Sequence, residues 1–299
     1  MLKLNTLVTA KHLFECITKF PEKMRVIDAT WFLPNYGKKG FDNYKMGHIP
    51  GAAFFDIDAC TTKSEYEHML PSETHFAEYV GNLGIDNDTS VVIYNDHPDF
   101  AQFSAPRVWW TFRVFGHEGV HLLDGGLRSW RDAGFPIATG VETPQKKAFT
   151  AKLNRNHIKS FEEVADNIAS QNFQVVDARS AGRFHGTDPE PREDCKPGHI
   201  PGSASIPFTR ILDPYTSPDG KIVNGGAVKS TDDLKKVFTE ACVDLNRPLT
   251  TSCGSGVTAC CLVLAAYLCG KNDTCVYDGS WVEWYKRSSP EQREESPVD

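Results

Sequence analysis

Cys253-Gly254-Ser255-Gly256-Val257-Thr258 is the stretch from which the fold is read. A β-prone approach, residues 248–252, precedes it, and a long apolar helical pattern, residues 257–268, follows. The cysteine therefore falls where a buried strand ends and a helix begins. Two glycines flank Ser255 and let the backbone turn tightly. Such a loop aims several N–H groups at one point, and the helix N-terminus adds its partial positive charge there. A thiolate at that point is stabilised and becomes a nucleophile near neutral pH. The competing reading, a structural cysteine in a glycine-rich turn, is disfavoured by the strand-loop-helix setting.

Outward from this loop, the two halves of the chain repeat each other. Val26-Ile27-Asp28-Ala29 matches Val175-Val176-Asp177-Ala178, and Gly47-His48-Ile49-Pro50-Gly51 matches Gly198-His199-Ile200-Pro201-Gly202. The strand Val91-Val92-Ile93-Tyr94 matches the one entering Cys253. Asp124-Gly125-Gly126 with Trp130 matches Asp278-Gly279-Ser280 with Trp284. Helical patterns precede the first strand of each half, at residues 12–20 and 161–170. The second carries Ser160 and Glu163 at capping-box spacing. Short strands alternating with helices predict, in each half, a parallel sheet with helices on both faces, an α/β fold. Ligand sites of such sheets lie beyond the carboxyl ends of the strands, where Cys253 falls. The expected layout is an N-terminal domain over 1–138, a linker over 139–156, a C-terminal domain over 157–287 and a mobile tail over 288–299. Residues 187–198 and 213–226 are dense in Pro, Gly and charge and read as long loops.

Composition bounds the function. The 299 residues fit two domains, and the formal net charge of −7 argues against nucleic acid or an anionic membrane as partner. No apolar run is long enough to span a bilayer, and the first residues lack a secretory core or an Arg-rich transit pattern. The cytoplasm is the expected location, with the mitochondrion as the alternative. The nine cysteines form no Cys-x-x-Cys pair, so neither zinc nor a dithiol motif is expected. Cys260, Cys261 and Cys269 read as small core residues. Cys60, set among polar residues, reads as a surface thiol and a candidate redox position. His117 and His121 are spaced like metal ligands, but Gly116 and Gly119 break any helix there, and no metal or other cofactor is expected. His48 and His199 recur in both halves and read as turn-forming. Trp109 and Trp110 read as packing residues, and Arg179 as a brace for the loop.

The halves differ at the strand-to-helix turn. Tyr94 is followed by Asn95-Asp96-His97, with no cysteine, so only the second half can perform thiol chemistry. Tandem Asp-Ala, Gly-His-Ile-Pro-Gly and Asp-Gly-Gly/Ser…Trp blocks, with one cysteine loop in the second half, resemble the two-domain rhodanese family, from about Val26 to Trp284. Within it, the loop resembles the members that act on 3-mercaptopyruvate. Those acting on thiosulfate carry Arg and Lys at the positions of Gly254 and Ser255. The split has a charge logic. Thiosulfate is a dianion with charge beside the transferred sulfur, whereas mercaptopyruvate carries its charge on a distant carboxylate.

The resemblance implies roles for further residues. Arg183 and Arg192, in segments resembling the family's substrate-binding ones, would hold the carboxylate and ketone oxygens, which a planar guanidinium suits. Gly254, Gly256, Val257 and Thr258 would form the cradle around the donor and the Cys253 sulfur. Asp58 and His68 match residues proposed in the family to form a relay with Ser255. The implied cycle passes sulfur from 3-mercaptopyruvate to Cys253 as a persulfide, releases pyruvate, and hands the sulfur to a thiol, thioredoxin above all, or to cyanide. Rival readings are a thiosulfate:cyanide sulfurtransferase and a non-catalytic tandem binding module. A cysteine phosphatase needs an arginine six places after the cysteine, and Ala259 stands there.

Overall fold

The computed structural model describes residues 1–216, 220 and 222–294. The chain divides into two compact units. Unit 1 is Met1–Thr62, Leu70–Asn154 and Leu212–Val228; unit 2 is Lys63–Met69, Arg155–Ile211 and Lys229–Asp299.

Unit 1 is built on strands β1 (Leu7–Val8), β2 (Met24–Asp28), β3 (Ala53–Phe54), β4 (Ser90–Tyr94) and β5 (Val120–Leu123). They form one sheet in the order β1-β5-β4-β2-β3, with every pair parallel. Helices α1 (Ala10–Lys19), α2 (Gly40–Met46), α3 (Glu73–Asn82), α4 (Ala105–Val114) and α5 (Gly126–Asp132) connect and flank them. Central β4 is buried along its whole length, as its unbroken Val-Val-Ile-Tyr run requires. Trp109 and Trp110 on α4 are 1% and 2% exposed, in keeping with packing residues.

Unit 2 repeats the plan with β6 (Ile158–Lys159), β7 (Gln174–Asp177) and β8 (Ala204–Ser205). The chain then contributes an antiparallel pair, β9 (Leu212–Thr216) and β10 (Ile222–Val228), to unit 1. It returns to unit 2 with β11 (Leu249–Ser252) and β12 (Cys275–Tyr277). The order β6-β12-β11-β7-β8, again all parallel, is that of unit 1 element for element. Helices α6 (Phe161–Ser170), α7 (Ala181–His185), α8 (Thr231–Glu240), α9 (Ala259–Leu268) and α10 (Ser280–Arg287) complete it. The two-domain α/β reading is borne out, as is the Ser160–Glu163 capping box on α6. Helix α9 is apolar on all sides and buried from Ala259 to Ala266, Cys260 and Cys261 included.

The repeated histidines do the same job twice. His48 Nδ1 lies 2.9 Å from the Tyr44 carbonyl and His199 Nδ1 lies 2.9 Å from that of Phe184, each ring stacked on the aromatic residue it bonds. Each also pairs through its backbone with a later segment, Ala138 or Glu294.

Three expectations change. Residues 213–226 read as a loop but form most of the β9–β10 pair, held on unit 1 by bonds such as Val228 N–H to Asp124 Oδ1 at 3.0 Å; residues 217–219 and 221 lie outside the described residues. The stretch read as a linker runs bonded along unit 1, with Lys147 N–H donating to Gly81 and Asn154 N–H to Val114. The stretch read as a mobile tail is bonded to unit 2 in its described part, where Gln292 accepts from Trp284 Nε1 at 2.9 Å and Glu294 pairs with His199; residues 295–299 lie outside the described residues.

Candidate active site

Cys253 follows the last residue of β11, the middle strand of its sheet, at the carboxyl end. The loop turns through Gly256, whose φ of +79° suits glycine, into the N-terminus of α9. Helix α10 takes up the loop's carbonyls: Trp281 N–H donates to Cys253 O at 2.9 Å and Val282 N–H to Gly254 O at 3.0 Å. Among the described residues, the amides of Gly254, Ser255, Val257 and Thr258 donate to no protein acceptor. Together with the helix terminus they form an N–H cradle suited to an anion. Cys253 itself is only 2% exposed, so its sulfur sits at the floor of the loop rather than open to solvent.

Ser280, which the sequence reading passed over, fixes the start of this loop. Its Oγ accepts the Cys253 N–H at 3.1 Å and donates to Tyr277 O at 2.9 Å. Ser280 has a φ of +52°, and its counterpart in the repeat is Gly126, at +60°. A side chain in that region costs roughly 1–2 kcal/mol. The hydroxyl bond to the loop offsets part of that cost. A serine where the repeat has glycine was the signal available in the sequence. In unit 1 the residue in the place of Cys253 is Asn95, which accepts from Leu127 N–H as Cys253 does from Trp281. Its side-chain oxygen turns back to the amides of Phe103 and Ala105. That position has become a brace for α4.

Two guanidinium groups lie against the loop. A Cβ at Gly254 would stand 2.9 Å from Arg183 Nη2 and 3.6 Å from Arg192 Nη1. The missing side chain is what lets Arg183 come so close; Arg192 lies at an ordinary contact distance. Arg183, on α7, is held by Glu190 through Nε at 3.0 Å and Nη2 at 2.5 Å. Glu190 also accepts from Arg179 at 2.8 Å, and Arg179 closes onto Asp177 and the Gly198 carbonyl, stacked on Trp281. Burial opposes the charge on Arg179, yet Asp177 outweighs it and the pKa is raised. Breaking such a buried pair costs about 3–5 kcal/mol. Arg179 is therefore the brace the sequence suggested, acting through Glu190.

Arg192 lies in the loop after α7. It pairs with Glu67 through Nε at 2.9 Å and through Nη2, and its Nη2 lies 3.3 Å from Ser255 Oγ. Burial works against its charge, but the Glu67 hydrogen bond prevails and its pKa is raised. His68, next to Glu67, points Nδ1 at Ser255 Oγ at 2.9 Å; it is buried and has a φ of +62°. Thus Cys253, Ser255, His68, Arg183 and Arg192 are gathered in unit 2. Glu67 was missed because its partner lies 125 residues away, and Glu190 because nothing in a loop sequence shows that it turns back onto Arg179 and Arg183.

Asp58 belongs to unit 1, where it is exposed, accepts from Trp31 Nε1 at 3.0 Å and donates its amide to Asp56. Cys60 requires a correction. It is 6% exposed rather than at the surface, and desolvation pushes its thiol well above the ordinary range. A buried thiol that resists ionisation is a poor redox sensor.

A model described as a rhodanese-like domain matches residues 22–133 and 160–287. The chain belongs to the rhodanese family. The 3-mercaptopyruvate sulfurtransferase of Mus musculus is 50% identical over 288 residues, 95% of this chain and 93% of its own length. The thiosulfate sulfurtransferase of Rattus norvegicus is 47% identical over 291 residues, 96% of this chain and 94% of its own. Among solved structures, SseA from Escherichia coli, presented with the catalytic mechanism of 3-mercaptopyruvate sulfotransferases, superposes with a TM-score of 0.77 at 32% identity, covering 93% of this chain and 99% of that one. This rhodanese is a sulfurtransferase enzyme, and among its described residues no helix is long and apolar enough to cross a membrane.

Proposed function

We propose that this rhodanese takes sulfur from 3-mercaptopyruvate, and that Cys253 carries it. The observation that carries the reading is the pair of guanidinium groups beside Gly254, in a loop that has no cation of its own. Arg183 and Arg192 grip the carboxylate and ketone oxygens and bring the donor's sulfur to Cys253. The Cys253 thiolate attacks that sulfur. The carbon–sulfur bond breaks and its electron pair passes to the carbon as the enolate of pyruvate. Ser255, bonded to His68 with Asp58 as the proposed further member, delivers the proton. The proton carried in on the donor's sulfur passes to Ser255 and restores it, and Cys253 is left as a persulfide whose outer sulfur is anionic. The amides of Gly254, Ser255, Val257 and Thr258 stabilise that charge. A thiol acceptor, a thioredoxin above all, then attacks the outer sulfur and regenerates Cys253; cyanide serves in an assay. The cycle is ping-pong. Free cysteines throughout support a reducing location, cytoplasmic or mitochondrial.

The 47% identity to a thiosulfate sulfurtransferase favours that donor as the second reading. Turnover of both donors with cyanide, side by side, tests the choice. The expected result is a higher kcat/KM for 3-mercaptopyruvate; a higher value for thiosulfate overturns the reading.

A further inference from the structure

Both guanidinium groups beside Gly254 already hold a carboxylate, and the two carboxylates differ in kind. Glu190, the partner of Arg183, has a wholly buried side chain and is shared with Arg179. Its departure would strand Arg183 and take from Arg179 one of its two carboxylates. Glu67, the partner of Arg192, has a side chain 48% exposed, while that of Arg192 is only 9% exposed. Both Arg192 bonds, from Nε and from Nη2, end on one oxygen, Oε2. A guanidinium holds a carboxylate best through two parallel bonds to two oxygens. Glu67 therefore presents a weaker grip than a small carboxylate that enters face on.

We infer that Glu67 is a displaceable counter-anion of the donor site. It occupies Arg192 until the carboxylate of an α-keto acid replaces it. The inference rests on the proposed role of Arg192 as a carboxylate holder. The charge count gives its direction. Arg179, Arg183 and Arg192 are balanced by Asp177, Glu190 and Glu67. A monoanion that displaces Glu67 into solvent restores the balance. A dianion leaves an excess negative charge where water is partly excluded, which is costly. The segment is built for this exchange. His68 is fixed by Ser255, which keeps the backbone in place while the neighbouring Glu67 side chain swings. The Ser255 hydroxyl keeps a contact on Arg192 meanwhile.

The test is Glu67→Gln in the full chain, which keeps the shape and removes the charge. Calorimetric binding of two unreactive anions, pyruvate and sulfate, gives a readout independent of turnover. Because Glu67 has left Arg192 in either bound state, loss of the competing, half-exposed ion pair should raise the affinity for both anions by a similar factor, roughly twofold to fivefold. The KM for thiosulfate should fall in step while kcat holds, and thermal unfolding should match wild type. Unchanged affinity for both anions overturns the inference. So does weaker pyruvate binding, which would make Glu67 a support for Arg192 rather than its competitor. If wild type binds no pyruvate, the carboxylate-holding role of Arg192 falls, and the inference falls with it.

Discussion

His68 Nδ1 and Ser255 Oγ lie 2.9 Å apart, although 187 residues separate them in the chain. The contact is the geometric basis for the proposed proton path through Ser255. Ser255→Ala should lower kcat for 3-mercaptopyruvate by roughly a hundredfold, the scale of one general acid–base contribution. His68→Ala should cost a similar factor, and the double variant little more than either single one. Steady-state kinetics on the three proteins checks this. Additive losses would show that the two side chains act independently.

Cys253→Ser should retain the fold and lose the covalent intermediate. After exposure to donor, intact-protein mass measurement should find one added sulfur on wild type and none on the variant. Sulfur loading of the variant would place the nucleophile elsewhere.

Gly254→Ala should raise the KM for 3-mercaptopyruvate about tenfold with a smaller change in kcat. The new Cβ stands 2.9 Å from Arg183 Nη2, and Glu190 limits how far that head group can retreat. The expected loss corresponds to one charge-assisted hydrogen bond. An unaltered KM would show that Arg183 does not meet the donor from this side.

Unit 1 carries a pH-sensitive group of its own. Asp28 occupies the place of Asp177, but Thr30 stands where Arg179 stands, so no cation offsets its burial. Desolvation pushes its pKa up to about 7. The folded state thus binds this proton more tightly than the unfolded chain does. Its stabilising contribution is complete below about pH 4 and is lost as pH rises to about 7, at no more than about 1.4 kcal/mol per pH unit. Chemical unfolding across that window should show a shallower loss of stability in Asp28→Asn than in wild type. Parallel curves would assign the titration elsewhere.

Cysteine labelling separates exposed from buried thiols. Brief alkylation of the native protein should modify Cys242, which is exposed, and spare Cys60, whose thiol is buried and slow to ionise. Peptide mapping gives the answer directly. Modification of Cys60 at the rate of Cys242 would contradict its burial.

Much of this was legible before any coordinates. The duplicated blocks, the capping box at Ser160 and the cysteine loop are local patterns, each set by neighbours within a few residues, and each appears where the sequence puts it. Gly254 was legible as part of a tight turn and, by resemblance, of the donor cradle; that its bare Cα makes room for Arg183 depends on a side chain 71 positions earlier in the sequence. Glu67 looks like any solvated acid until Arg192 is seen beside it. Cys60 misled because polar neighbours in sequence do not decide burial, and the residue is only 6% exposed. The β9–β10 pair misled because its Pro and Gly residues signal turns, while its pairing and its seat on unit 1 supply what local propensity lacks.

The exchange of segments between the units has a practical outcome for anyone cutting the gene. A fragment starting at residue 157 would carry Cys253 but neither His68 nor Glu67, which unit 2 draws from Lys63–Met69. A fragment ending at residue 156 would lack the Leu212–Val228 pair that belongs to unit 1. Although the sequence reads as two copies of one ancestor, a cut between the copies leaves each unit short of a segment that packs with it.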